Sequence, residues 1–252
     1  MPEAARRSDD MYLVVVSNYE PRGLANAATL VREIRESRPG ASRFDICLAI
    51  NSDRVSGDHR LSSEEGIWTI TRSNSGMNIG AWECAWRALD DYEGYLFLQD
   101  ECRFVRDGWL DAFAAGASAP GIGMLGETVN ARWAREWREL VGSPLNAFAP
   151  GHYIDGVPAR RVECYLHFMK GYNIDPGRDA SHLRSLVWFL RRDVLVRIDG
   201  FPCGRNKGEC IGAEIAVSRK IVQAGLRFQQ VSTAPFSYFW HEEWRRDGSG
   251  KA

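Results

Sequence analysis

The stretch Tyr95-Leu96-Phe97-Leu98-Gln99-Asp100-Glu101 constrains this chain more than any other. Four apolar or aromatic residues in succession leave no polar face, which is the pattern of a strand buried on both sides in a parallel sheet. The abrupt change to an amide and two carboxylates ends that strand in a polar crevice. Ligands of open α/β sheets sit outside the carboxyl ends of the strands. Carboxylates there hold a divalent cation through oxygen, and the cation in turn holds a diphosphate. Alone, the same pattern also fits a buried strand closed by a solvated acidic turn, so its neighbours have to decide.

The residues ahead of it alternate strand and helix. Residues 12–16 form a β-branched strand ending at Ser17-Asn18-Tyr19. The apolar residues Leu24, Ala27, Ala28, Val31 and Ile34 follow at helical spacing, and Arg38-Pro39-Gly40 stops them. Residues 44–50 make a second strand closed by Asn51-Ser52-Asp53, which completes a β-α-β unit with an expected right-handed crossover. The polar residues 54–66 predict a loop, and 67–71 a third strand. A glycine- and asparagine-rich turn from Arg72 to Gly80 then leads into a helix with Ala81, Trp82, Ala85, Trp86 and Leu89 on its apolar face and Asn74 or Ser75 as its cap. The free N–H groups of such a helix start suit a phosphate or sugar oxygen; the glycines equally suit close packing of an ordinary helix.

Beyond Glu101, Trp109, Leu110 and Phe113 predict a short helix and residues 121–126 a strand. That strand matches G-x-G-x-x-G by coincidence, because its glycines lie within the strand rather than between strand and helix. Residues 131–140 predict an amphipathic helix with Trp133, Trp137 and Leu140 on one side. Residues 141–182, with Pro144, Pro150, Pro158 and Pro176, predict an irregular binding loop or lid. The sheet resumes at 185–190, and Arg191-Arg192-Asp193 opens a short helix ending near Gly200-Phe201. A last helix over about 212–224 carries Ile215, Ile221 and Val222 inward, with Gly225 ending it. Residues 226–231 form the final strand, and the tail runs from Tyr238 through His241 to Trp244.

At 252 residues, 44% apolar and 26% charged, the chain is expected to form one α/β domain with a well-buried core. A net charge of −1 supplies no basic field for nucleic acid. Only four of the 32 basic residues are lysines, an arginine bias expected of a GC-rich bacterial genome. The six cysteines include no C-x-x-C pair, which argues against a zinc or redox motif and fits a reducing compartment. No apolar run approaches the length of a membrane span, and the polar residues 1–10 are followed by no signal-type apolar region. A cytoplasmic protein is expected, with peripheral membrane contact compatible.

Together these segments resemble the GT-A nucleotide-sugar glycosyltransferases, nearest to the family 2-like branch. The likeness runs from about Leu13 to His241 and rests on short, scattered motifs. It implies a mostly parallel, Rossmann-like sheet flanked by helices in a single domain over 1–252, with residues 12–101 binding the donor and 102–244 the acceptor. The first strand with Ser17-Asn18-Tyr19 resembles the family's base-binding loop, Asp53 its nucleoside-holding acidic residue, and Asn74, Asn78 and Gly80 its N-x-G-x-x-x-G region. Gln99-Asp100-Glu101 stands where the family has Asp-x-Asp. Gln99 hydrogen-bonds hydroxyls but is a poor cation ligand, so Mg²⁺ or Mn²⁺ would rest on Glu101, Asp100 and His241, and metal dependence is left open.

The resemblance further implies a hexosyl- or deoxyhexosyl-transferring enzyme that acts on a glycan, lipid-linked or small-molecule acceptor. Gly200-Phe201 followed by Glu209 to Arg219 is similar to the family's second signature, with Glu214 as catalytic base for inverting transfer and Glu209 as its rival. Arg191 and Arg192 are candidates to clamp a phosphate. Two alternatives stay open: a non-catalytic nucleotide-sugar or glycan-binding protein, suggested by the altered acidic motif, and a sugar nucleotidyltransferase. The latter calls for a glycine-rich basic loop after the first strand, where residues 17–23 offer one glycine and one arginine.

Overall fold

The computed structural model describes residues 11–242; the polar leader and Trp244 lie outside the described residues. A β-α-β unit opens the fold: β1 (Met11–Tyr19), α1 (Ala25–Glu36) and β2 (Arg43–Ser52). After β3 (Arg60–Glu64) and β4 (Ile67–Ser73), helix α2 (Met77–Ala88) returns the chain to β5 (Gly94–Gln99), the strand of the central motif. Then come β6 (Cys102–Phe104), α3 (Trp109–Ala117), β7 (Ile122–Gly126), α4 (Trp137–Val141), β8 (Phe148–Ile154), β9 (Val157–Arg160) and α5 (Arg161–Gly171). The chain closes with β10 (Val187–Arg191), α6 (Arg192–Arg197), α7 (Lys207–Gln223), β11 (Arg227–Gln230) and β12 (Phe239–His241).

Eight strands form one sheet in the order β11-β7-β10-β5-β1-β2-β4-β3. It is mainly parallel, with β3 and β10 antiparallel to their neighbours. The alternation of strand side chains sends each strand's apolar residues to two cores. Leu13, Val15, Tyr95 and Phe97 face one core with α2 and α7, whereas Val14, Val16, Leu96 and Leu98 face the other with α1 and α3. On the first face Trp82 of α2 lies 5.6 Å from the Phe97 ring and 5.3 Å from that of Trp188, and its indole N–H donates to the Leu98 carbonyl at 3.3 Å. The sheet buried on both faces is therefore the one the apolar run of β5 requires. Among the described residues no helix is long and apolar enough to cross a membrane.

Several expected elements differ. Residues 60–64, expected in a loop, are an exposed polar edge strand paired antiparallel with β4, and polarity is how an edge strand avoids pairing with another chain. Helix α2 starts on Gly76, at φ 78°, without a side-chain cap from Asn74 or Ser75. Of the expected helix 131–140 only the end is helical, as α4 (137–141), because Val129 and Glu136 bridge to Leu183 and Asp179 and the residues between them make a turn, Trp133 N–H to the Asn130 carbonyl at 3.0 Å. Residues 141–182 are not irregular, though Pro150, His152, Arg161 and Tyr165 among them line a cavity. They form the β8–β9 hairpin and α5, with Pro150 and Pro158 tolerated in a two-stranded ribbon and Pro144 starting a 3₁₀ turn. Helix α7 begins five residues earlier than expected, where Asn206 caps it by accepting the Glu209 N–H at 3.0 Å. Its early glycines lower helix propensity but are needed: a Cβ on Gly208 would sit 2.7 Å from Cys164 Sγ and 3.0 Å from His152 Cα. Leu24 and Val222, expected inside, are exposed, whereas Gly225 ends α7 at φ 73° as expected.

Candidate active site

The chain leaves β1 toward β2 and comes back at β5 on β1's other side, so the carboxyl ends of β1 and β5 form a topological switch point. Three hydrogen bonds hold these ends together. Ser17 Oγ donates to the Leu98 carbonyl at 3.2 Å, the Asp100 N–H to the Ser17 carbonyl at 3.1 Å, and Asn18 Nδ2 to Asp100 Oδ2 at 2.8 Å. Asn18 is buried, and its Oδ1 accepts no hydrogen bond among the described residues, a rare condition for such an atom. Burial pushes the Asp100 carboxyl above its ordinary range, with the Asn18 amide pulling it back. A cavity of about 330 Å³ opens here, lined by Ser17, Asn18, Tyr19, Asn74, Asn78, Gln99 and Asp100 among others. Asp53 lies outside this lining, exposed, and accepts from the Tyr19 hydroxyl.

A second cavity, about 500 Å³, shares Asn78 and Gln99 with the first and contains Glu214. Ser185 joins the two. Its carbonyl accepts from Gln99 Nε2 at 2.6 Å and Asn78 Nδ2 at 2.9 Å, while its N–H donates to Glu214 Oε2 at 3.2 Å. Sequence reasoning missed Ser185 because its position follows from β10 running antiparallel to β5, which brings the start of one strand to the end of the other. Glu214 lies two turns into α7 rather than at its start, so the helix dipole does not account for it. Glu209 is the carboxylate at the helix start. It accepts the Arg205 N–H at 2.7 Å and lies outside both cavities, a capping residue.

Glu101 is absent from the lining of the smaller cavity but sits beside its rim, where its partner Arg22 lines it. Its carboxylate meets Arg22 at 3.2 Å and His241 Nε2 at 3.8 Å, because β12 pairs with β6 in a register that sets His241 opposite Cys102. Glu127 anchors that strand and was not legible in the sequence. Its buried carboxylate accepts the N–H groups of Ser237, Tyr238 and Phe239 at 2.7, 2.9 and 2.9 Å. Burial pushes the Glu127 carboxyl up, and the three donors pull it down by less. As a donor for a divalent cation the Glu101 carboxylate fits, since Mg²⁺ and Mn²⁺ are held by one or two carboxylates with substrate phosphates completing the shell. The His241 imidazole, 3.8 Å away, is a secondary nitrogen donor softer than these cations prefer. Asp100 is turned to Asn18 instead, and among the described residues no cluster of three His, Cys, Asp or Glu forms.

Three expected site residues lie elsewhere. Arg191 and Arg192 sit at the opposite end of the sheet, since antiparallel β10 pairs Arg191 with Gly94 at the start of β5; they bond Asp193 and Asp90 there. Gly80 is buried inside α2, where a Cβ would meet the Ser75 carbonyl oxygen at 2.2 Å. Its role is close backbone packing rather than ligand contact.

His182 is buried next to Asn130, a residue that lines the larger cavity. Its Nδ1 lies 2.7 Å from the Ala180 carbonyl and its Nε2 3.3 Å from the Asn130 amide, and burial pushes the imidazole down to about 4. The folded value lies below the ordinary 6.5, so the unfolded chain takes up this proton first as pH falls. The stabilisation is whole above pH 6.5 and is lost on the way to pH 4, on the order of 3 kcal/mol in all. Denaturant titrations at pH 7 and 4.5 should show the wild type losing more stability than His182→Asn; parallel losses would refute the assignment.

No protein-family model matches the sequence, and no curated protein matches it. Among solved structures, the chain is similar to a mannosyltransferase from Pyrobaculum calidifontis in complex with GDP-Man and Mn²⁺, at TM-score 0.50 and 11% identity over 89% of this chain. The match spans 55% of that mannosyltransferase. A slighter likeness, TM-score 0.47 at 11% identity over 96% of this chain and 76% of the other, is to a Drosophila β1,4-galactosyltransferase 7 mutant complexed with manganese, UDP-Gal and xylobiose. Another, TM-score 0.46 at 12% identity over 88% and 89%, is to a CMP:2-keto-3-deoxy-manno-octonic acid synthetase with CTP. At this identity the likeness establishes the fold, which is of the GT-A type.

Proposed function

We propose that the protein is a glycosyltransferase that holds a nucleoside-diphosphate sugar at the carboxyl ends of β1, β2, β4 and β5 and transfers the sugar to an acceptor hydroxyl in the adjoining cavity. The observation that carries this reading is the meeting of two cavities at Asn78 and Gln99, with a carboxylate in the second one bonded, through Ser185, to the residues of that junction. Residues 12–101 would supply most of the donor site and 102–244 most of the acceptor site.

Asn18 and Asp100 offer acceptor atoms to nucleoside or sugar hydroxyls, and the unmatched Oδ1 of Asn18 would gain a partner on binding. Tyr19, braced by Asp53, offers a ring face to the base. Gln99 and Asn78 stand between donor and acceptor and orient both. Glu101 and His241 would hold the divalent cation, whose charge would stabilise the departing diphosphate. Glu214, in the acceptor cavity, would take the proton of the attacking hydroxyl in a direct, inverting displacement.

A thermal-shift panel of nucleotide sugars, each with Mn²⁺ and with EDTA, tests this. One donor at a hundredfold excess over its Kd should add about 2.7 kcal/mol, a rise of roughly 5–10 °C for a chain of this size. Chelation should remove part of the rise, and slow donor hydrolysis should accompany binding. A panel without any stabilisation would end the reading, and stabilisation without any turnover would favour a binding protein.

A further inference from the structure

The larger cavity is lopsided in charge. Arg132, Arg161, Arg184 and Lys207 line it against a single carboxylate, Glu214, in a chain whose net charge is −1. Several arginines elsewhere are matched, as in Arg22 with Glu101, Arg87 with Glu83 and Arg178 with Glu136. Arg132, Arg161 and Lys207 form no ion pair among the described residues. Like charges gathered without a counter-ion repel one another, so their convergence on one cavity favours an anionic occupant.

The fold fixes the backbone positions of Lys207 and Arg161 at this cavity. Gly151 is at φ 79°, and a Cβ there would come within 2.8 Å of Lys207 Cβ, so β8 lies directly against the first turn of α7. Arg161 is the first residue of α5, whose N–H reaches the Ala147 carbonyl at 3.4 Å. Burial chiefly, and the charges of Arg161 and Lys207 in addition, push the neighbouring His152 imidazole down, as expected where the wall is positive. Trp133 and Tyr165, ring centroids 5.2 Å apart, also line this cavity; at 9% and 1% exposure they are a packed aromatic pair that offers only its edge to the apolar side of a sugar ring.

We propose that this cavity takes an acceptor saccharide bearing an oxyanion, a phosphate or a carboxylate, gripped by Arg161, Lys207 and Arg132 while the sugar ring meets the edge of the Trp133 and Tyr165 pair. The inference rests on the transferase reading and narrows its acceptor to an anionic class. Glu214 is the one group in the cavity that repels an anion, and it keeps the charged end of the acceptor away from the residue that would receive the hydroxyl proton.

Calorimetric titration of the full chain tests it with four probes: a hexose 6-phosphate, a hexuronate, the neutral hexose and inorganic phosphate, each with and without saturating nucleoside diphosphate. Nucleoside diphosphates titrated alone form a separate arm. An oxyanion-bearing sugar should bind at least tenfold tighter than the neutral hexose, and the comparison of phosphate with carboxylate identifies the anion. The double variant Arg161→Gln with Lys207→Gln should weaken that sugar about 10- to 100-fold, as loss of charge-assisted hydrogen bonds does. It should leave nucleoside diphosphate binding within twofold. Equal binding of charged and neutral sugars would overturn the proposal, as would a double variant that weakens nucleotide as much as sugar. If no nucleoside diphosphate bound, the transferase reading would fall on its own; if nucleotides bound and no oxyanion-bearing sugar did, only the present proposal would.

Discussion

Glu214→Gln is expected to lower transfer turnover by about 10²- to 10⁴-fold, the range that loss of a general base costs, with little change in donor binding. Glutamine has the shape of glutamate and keeps an oxygen for the Ser185 N–H, which Glu214 accepts at 3.2 Å, so the link between α7 and the strand junction should survive. What disappears is the ability to take a proton. The acid limb of the pH–turnover profile should vanish with it, whereas donor-induced thermal stabilisation should match the wild type. Glu209→Gln is the control: it perturbs a helix cap bonded to Arg205, outside both cavities, and should cost about 0.5–1 kcal/mol of stability and little activity. Turnover near the wild-type rate in a folded Glu214→Gln protein would sink the base assignment.

Glu127→Ala should be the most damaging substitution to stability among the site's supporting residues. Three backbone N–H groups, those of Ser237, Tyr238 and Phe239, converge on this one buried carboxylate. Removing it strands them, and buried donors without partners cost about 1–3 kcal/mol each before the chain relaxes. With relaxation, a loss on the order of 3–5 kcal/mol is expected in denaturant titration. The loss should be local first: amide exchange should accelerate along β12, which carries His241 to Glu101. Cation-dependent donor stabilisation should shrink in step, while the cation-independent part persists. Glu127→Gln keeps one acceptor oxygen and should fall between the two. Uniform destabilisation, with β12 no more exposed than β1, would show that Glu127 does not anchor the C-terminal strand.

Much of the smaller cavity's lining was legible because it depends on local pattern. The apolar run of β5 and the β-branched run of β1 both demand a covered sheet, and their polar ends, Ser17-Asn18-Tyr19 and Gln99-Asp100, then fall at the same edge of that sheet. The larger cavity was not. Residues 141–182 looked structureless because prolines and glycines suppress local propensity, yet the hairpin and α5 fold there against α7, where Gly208 permits backbone approach that no larger residue would. Arg191 and Arg192 looked like phosphate ligands as a pair, and strand direction alone carried them to the far end of the sheet.

Composition and periodicity by themselves determined alternating strands and helices around a strand buried on both faces, and marked which strand ends are polar; the mainly parallel, helix-flanked sheet is what the resemblance to GT-A glycosyltransferases implied. Tertiary structure alone decided the rest: that Ser185 bridges Gln99 to Glu214, that Glu127 ties down the strand bearing His241, and that Arg132, Arg161 and Lys207, with no ion pair among the described residues, meet in one cavity. Those facts join residues tens of positions apart, and such contacts depend on strand order, direction and register, which no local window of side chains encodes.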